Sequence, residues 1–225
     1  MPIINLILST TLISTFFFLG IYPLPINLAF AETTSQKQEP PTSIFDKIKK
    51  AITDKKPPVT ERPAGSRGGF CAIAPFSPNE TIEVFSDTPI FVWQGKITRI
   101  RIIKIGGSEE IVWSVRSSKN ETSKVYGGDE LQPGQTYDLF FLPGETPYRF
   151  RVMDGDRRES IQAELDALAA DGDATAEEIA LQRAGYFLEE GLLMDALREM
   201  LSVENPSVEL QEASDRITTA EFCET

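Results

Sequence analysis

Between Thr81 and Met153 the sequence falls into short runs rich in β-branched and aromatic residues, and after Met153 the apolar period changes from two to that of a helix. That switch constrains the fold more than any other feature, because side chains alternate across a strand but recur at three and four residues on a helix. The runs are Thr81–Phe85, Pro89–Trp93, Ile97–Ile105, Glu110–Ser117, Ser123–Tyr126, Thr136–Leu142 and Tyr148–Met153, separated by Gly, Pro, Asp and Asn. Short strands at such spacing predict a β-sandwich. In the third run Thr98, Ile100 and Ile102 share one face and Arg99 and Arg101 the other, but Ile103 and Ile105 fall on the arginine face. Either a bulge shifts the register near Ile102-Ile103 or that strand end is covered on both sides.

The helical part begins at Asp156-Arg157-Arg158-Glu159, a capping sequence followed by an apolar stripe of Ile161, Leu165 and Leu168. Thr175-Ala176-Glu177-Glu178 is a second capping box, opening a helix expected to end near Gly191. Leu193, Ala196, Leu197, Met200 and Leu201 form a third helix stopped by Asn205-Pro206, and Leu210, Ala213 and Ile217 a last one. The expected fold is therefore α+β: an antiparallel β-sandwich over residues 70–154 and a small C-terminal subdomain of three to four helices over 155–225.

Leu131-Gln132-Pro133-Gly134-Gln135-Thr136-Tyr137 sharpens the sandwich reading. A Pro-Gly turn leading into a strand that carries Tyr two residues in resembles the tyrosine corner of immunoglobulin-like and fibronectin-type sandwiches, with Leu131, Pro133, Gly134 and Tyr137 as its parts. The hairpin from Glu177 to Pro206 resembles a single tetratricopeptide unit. A lone unit cannot build a peptide-binding superhelix.

The first 31 residues carry no charged side chain and end in Ala29-Phe30-Ala31, the small-x-small pattern of a cleavage site. A signal peptide over 1–31, cut between Ala31 and Glu32, is expected; the alternative is an uncleaved inner-membrane anchor. Export places the body in the periplasm or outside the cell. Cys71 and Cys223 are the only two cysteines and bracket the foldable sequence. In an oxidising compartment they form a candidate disulfide clasp; the alternative is two unrelated thiols.

Residues 32–69 are rich in Pro and Lys and read as a linker with eight basic and five acidic side chains, while the body from Phe70 carries 14 basic and 29 acidic ones, a net −15. Within the linker Ile44, Phe45, Ile48, Ala51 and Ile52 recur at helical spacing beside lysines. Residues 43–53 therefore offer a weak membrane contact, against the plainer reading of a solvated spacer.

Histidine is absent, which removes Ser-His-Asp and Cys-His nucleophile systems and the histidine-dependent metal sites. The acidic body speaks against nucleic acid. Asp154-Gly155-Asp156 and Asp171-Gly172-Asp173 are read as helix caps, since an EF-hand counted from Asp171 places Ala176 where Gly is required and Gln182 where Glu is. No catalytic residue, metal ligand or cofactor-binding residue is expected, and the chain is read as no enzyme; a carboxylate-only hydrolase would need two acidic side chains facing each other in a concavity.

Gly68-Gly69-Phe70-Cys71, Ser86-Asp87-Thr88-Pro89 leading to Trp93, Leu131 to Tyr137 and the Gly191 to Pro206 hairpin together resemble a cyanobacterial family of exported proteins of unknown function. That resemblance implies an envelope location and no enzymatic activity. The expected function is a non-catalytic exported interaction or structural module of the bacterial cell envelope with an unknown protein partner. The alternative is a carbohydrate-binding module, with polysaccharide as its ligand, in which Trp93, Trp113, Tyr126 or Tyr148 form a solvent-facing row.

Overall fold

A computed structural model describes residues 44, 46–48, 50, 69–107, 109–169, 174–218 and 223. The signal segment and its cleavage site at Ala31 and Glu32, most of the 32–69 linker, and Asp171-Gly172-Asp173 lie outside the described residues.

After helical residues at 44, 46–48 and 50 come eight strands: β1 (Cys71–Ala74), β2 (Thr81–Val84), β3 (Ile90–Gln94), β4 (Arg99–Ile105), β5 (Glu110–Arg116), β6 (Ser123–Val125), β7 (Thr136–Leu142) and β8 (Tyr148–Val152). Helices α1 (Gly155–Ala169), α2 (Ala176–Glu189), α3 (Leu193–Leu201) and α4 (Val208–Thr218) follow. The strands form a three-stranded sheet ordered β1-β3-β6 and a five-stranded sheet ordered β2-β8-β7-β4-β5. Every pairing is antiparallel except β2 with β8. In immunoglobulin lettering β3 and β6 stand as B and E, and β4, β7 and β8 as C, F and G; β1 and β2 divide the first strand between the two sheets.

The fold class read from the sequence is the one observed, with one strand added. β1 escapes a propensity reading because Cys71-Ala72-Ile73-Ala74 holds two alanines and stops at Pro75; pairing with β3 makes it a strand. Burial explains the unbroken apolar run of β3. Phe91 and Trp93 face the other sheet, their rings 5.9 Å from Phe150 and 5.7 Å from Phe141. The opposite side of β3 is covered by α3 and α4, so the strand is apolar on both faces. Each such side chain contributes about 1.5–3 kcal/mol by leaving water.

The pattern fault at Ile102-Ile103 is a bulge. Ile102 pairs with Trp113 and Ile103 with Ile111, so Val112 is the extra residue, while the pairing of β4 with β7 runs without interruption. Ile100 and Ile102 are fully buried and Ile103 and Ile105 only partly so.

α2 is closed at both ends by the residues that announced it, whereas Asp156, expected to cap α1, lies inside its first turn. Thr175 caps α2: its hydroxyl accepts the Glu178 N–H at 3.2 Å and the Glu178 carboxylate accepts the Thr175 N–H at 2.7 Å. At the other end Gly191 adopts φ +75°, which lets Leu192 N–H reach the Phe187 carbonyl at 2.7 Å and Gly191 N–H reach that of Leu188 at 3.1 Å. That Schellman turn folds α3 back along α2, with Ala184 and Ala196 fully buried. The Glu177 carboxylate accepts both the N–H and the hydroxyl of Ser207, at 2.7 and 2.6 Å, holding the start of α4. All described residues belong to one compact unit.

Candidate functional site

The Pro133-Gly134 turn works as a tyrosine corner. Gly134 takes φ +78°, Gln135 N–H bonds the Gln132 carbonyl at 3.1 Å, and the phenol oxygen of buried Tyr137 accepts the Gln132 N–H at 3.0 Å. Leu131 is buried beside it in the core. Four sequence-selected residues are thus brought together as a structural device.

Cys71 and Cys223 are bonded, their Cα atoms 6.0 Å apart across 152 residues of sequence. The bond ties β1 to the chain beyond α4. Closing so long a loop restricts the unfolded chain by roughly 5 kcal/mol in the chain-entropy model.

The aromatic row required for sugar stacking does not form from the four selected residues. Trp93 is 0% and Tyr126 3% exposed, and Trp113 and Tyr148 are half-buried against the core; Trp113 packs on Tyr126 with ring centroids 5.1 Å apart. The described residues contain no group of three or more His, Cys, Asp or Glu placed to hold a metal ion. Asp154 instead accepts Arg151 Nη2 at 3.0 and 3.1 Å.

A cavity of about 260 Å³ lies where the helices meet the β2–β3 loop. Three arginines from three helices line it, Arg158 of α1, Arg183 of α2 and Arg198 of α3, together with the carboxyl groups of Asp87, Asp195 and Glu199. Asp195 is buried, and its two oxygens accept the backbone N–H groups of Phe85 at 2.9 Å and Ser86 at 2.8 Å. Arg198 gives its Nε–H to the Thr88 carbonyl at 2.9 Å and an Nη2–H to the Thr88 hydroxyl at 3.0 Å. Arg158 donates to the Phe85 carbonyl and lies over the Phe85 ring, 4.7 Å from its centroid. The loop Phe85–Thr88 is therefore gripped from two helices.

Burial pushes the Asp195 carboxyl up to about 6, against the two backbone N–H groups and Arg198, which favour its charge. Burial also raises Glu199, opposed by Arg183 and Arg198, which stand 3.8 and 3.9 Å from its oxygens. A carboxyl tuned toward neutrality in a concavity is a general-acid candidate in kind. Here each acid is engaged: Asp195 with the loop, Glu199 between two guanidinium groups, and Asp87 with Arg158 at 4.0 Å.

Sequence reading missed this cluster. Asp195, Arg198 and Glu199 stand on the face of α3 opposite its apolar stripe, and no motif singles them out. The available signal was an acidic residue three positions before an arginine within a helix that the topology buries on both sides. No protein-family model matches the chain, and no curated protein matches its sequence.

Proposed function

We propose that the protein is a non-catalytic, exported interaction module of the bacterial cell envelope that acts by binding another protein. The observation that carries this reading is the use to which the junction puts its ionisable groups. Asp195, Arg158 and Arg198 are spent on the backbone and side chains of the Phe85–Thr88 loop, which makes the helices and the sandwich a single preorganised body. Preorganisation lowers the ordering cost of association. The Cys71–Cys223 bond is consistent with an oxidising compartment. No helix among the described residues is long and apolar enough to cross a membrane. The resemblance of the Gly68 to Cys71, Ser86 to Trp93, Leu131 to Tyr137 and Gly191 to Pro206 segments to cyanobacterial exported proteins supports the same address.

The test is to tag the C-terminus, cross-link intact cells and identify by mass spectrometry what co-purifies with the mature chain. A stoichiometric protein partner, lost when the surface it touches is mutated, is the expected result. Recovery of polysaccharide without protein would overturn it in favour of sugar binding.

A further inference from the structure

Two side chains from the segment that reads as a spacer complete the core of the body. Ile44 is 2% and Ile48 0% exposed, and both belong to the same buried cluster as the sandwich and the helices. Ile44, Asp46, Lys47, Ile48 and Lys50 are all helical, so the two isoleucines, four residues apart, share one face while Asp46 and Lys50 remain exposed. Lys47 Nζ stands 3.9 Å from Glu189 Oε1 at the end of α2. Ile44 and Ile48, two of the five apolar residues that a membrane contact by residues 43–53 would use, are buried in the body, and a helix cannot give the same face to its own core and to lipid.

We infer that the helical segment carrying Ile44, Lys47 and Ile48 is a plug seated in a helix-docking site of the body beside Glu189, and that this site takes a basic amphipathic helix carrying an aliphatic pair at i and i+4. The seated segment displays the chemistry the site accepts: two branched aliphatic side chains inward and a lysine toward an acidic rim. Charge matches at larger scale too, a +3 linker against a −15 body.

No disulfide holds the plug, because the two cysteines of the chain are bonded to each other. The C-terminal end is fixed covalently by Cys223, and α3 is fixed by the buried Asp195. Among the described residues, Ile44 and Ile48 bury the plug's apolar face, and the ion pair of Lys47 with Glu189, whose side chains are 37% and 71% exposed, is of a kind worth little in water. Residues 51–68 connect the plug to the body and contain Pro57-Pro58 and Pro63. Covalent connection keeps the plug at a high effective concentration, so a second helix of equal intrinsic affinity is excluded until the plug is weakened or the competitor binds more tightly.

The test uses the mature full-length chain and a fluorescent peptide of residues 42–54, followed by fluorescence anisotropy. The Ile44→Asp/Ile48→Asp chain is expected to bind the wild-type peptide on the order of a hundredfold more tightly than the wild-type chain does, and a peptide carrying both substitutions is expected not to bind. Equal affinity of the two chains for the peptide, with the variant folded by near-UV circular dichroism, would overturn the inference. If the double variant does not fold, Lys47→Glu serves instead: it should increase peptide binding, and Lys47→Glu/Glu189→Lys should reverse the increase. No increase with Lys47→Glu would contradict the placement of the site at Glu189. As a further check, the free peptide should bind vesicles containing anionic lipid while the wild-type chain does not; binding by both to the same extent would show the plug unseated and overturn the inference.

Discussion

The Asp195 carboxylate accepts the backbone N–H of Ser86 at 2.8 Å across 109 residues of sequence, joining the third helix to a loop of the sandwich. Its other oxygen holds Phe85 in the same way. Asp195→Ala leaves two partly buried N–H groups without their acceptor and should lower stability by about 2–3 kcal/mol, read from urea denaturation at pH 7. A loss no larger than that of an exposed substitution would contradict the clamp.

The same group makes stability depend on pH in an unusual direction. The folded-state value of about 6 lies above the ordinary carboxyl value of 3.8, so between these limits the folded protein holds more protons than the unfolded chain. The proton-linked part of the stability from Asp195 is therefore fully present below the lower value and is lost as pH rises through the upper one, while the hydrogen bonds to Phe85 and Ser86 persist at pH 7. Wild type should gain stability relative to Asp195→Asn on going from pH 7 to pH 5, since the variant has nothing to titrate. A constant difference across that interval would show that the buried carboxyl keeps an ordinary affinity for protons.

The Cys71–Cys223 bond makes two measurable statements. Intact mass of the exported protein under non-reducing conditions should fall two hydrogens below that of the reduced chain. Cys71→Ser/Cys223→Ser should lose up to about 5 kcal/mol, the entropy of a loop closed across the whole body. An unchanged denaturation midpoint on reduction would show that the covalent tie does not restrict the unfolded chain.

Tyr137→Phe removes only the phenol oxygen that accepts the Gln132 N–H. The expected cost is about 1 kcal/mol with the sandwich intact, because the ring keeps its stack on Phe150 at 5.5 Å. A cost near zero would mean that water replaces the phenol oxygen without loss.

The sequence disclosed what local rules control. The doubled isoleucine at Ile102-Ile103 located a bulge, although the extra residue is Val112 on the neighbouring strand, where no periodicity argument about β4 could place it. Thr175 and Glu178 announced their capping box because both partners lie within three residues of each other. The hidden features are those decided by distant partners. β1 is a strand through β3, Asp195 is buried by a loop more than a hundred residues earlier, and Ile44 and Ile48 lie in a stretch whose prolines and lysines suggest solvent. Glu177, Glu178, Glu189 and Glu190 each meet a partner, Ser207, Thr175, Lys47 and Arg157 in turn.

Hydrogen exchange at the Phe85 and Ser86 amides tests most directly the claim that helices and sandwich act as one body. Both amides should exchange as slowly as those in the centre of β7, and Asp195→Ala should release them while β7 stays protected. Fast exchange of Phe85 and Ser86 in the wild-type protein would mean that the helical subdomain detaches from the loop, and would contradict the preorganised module.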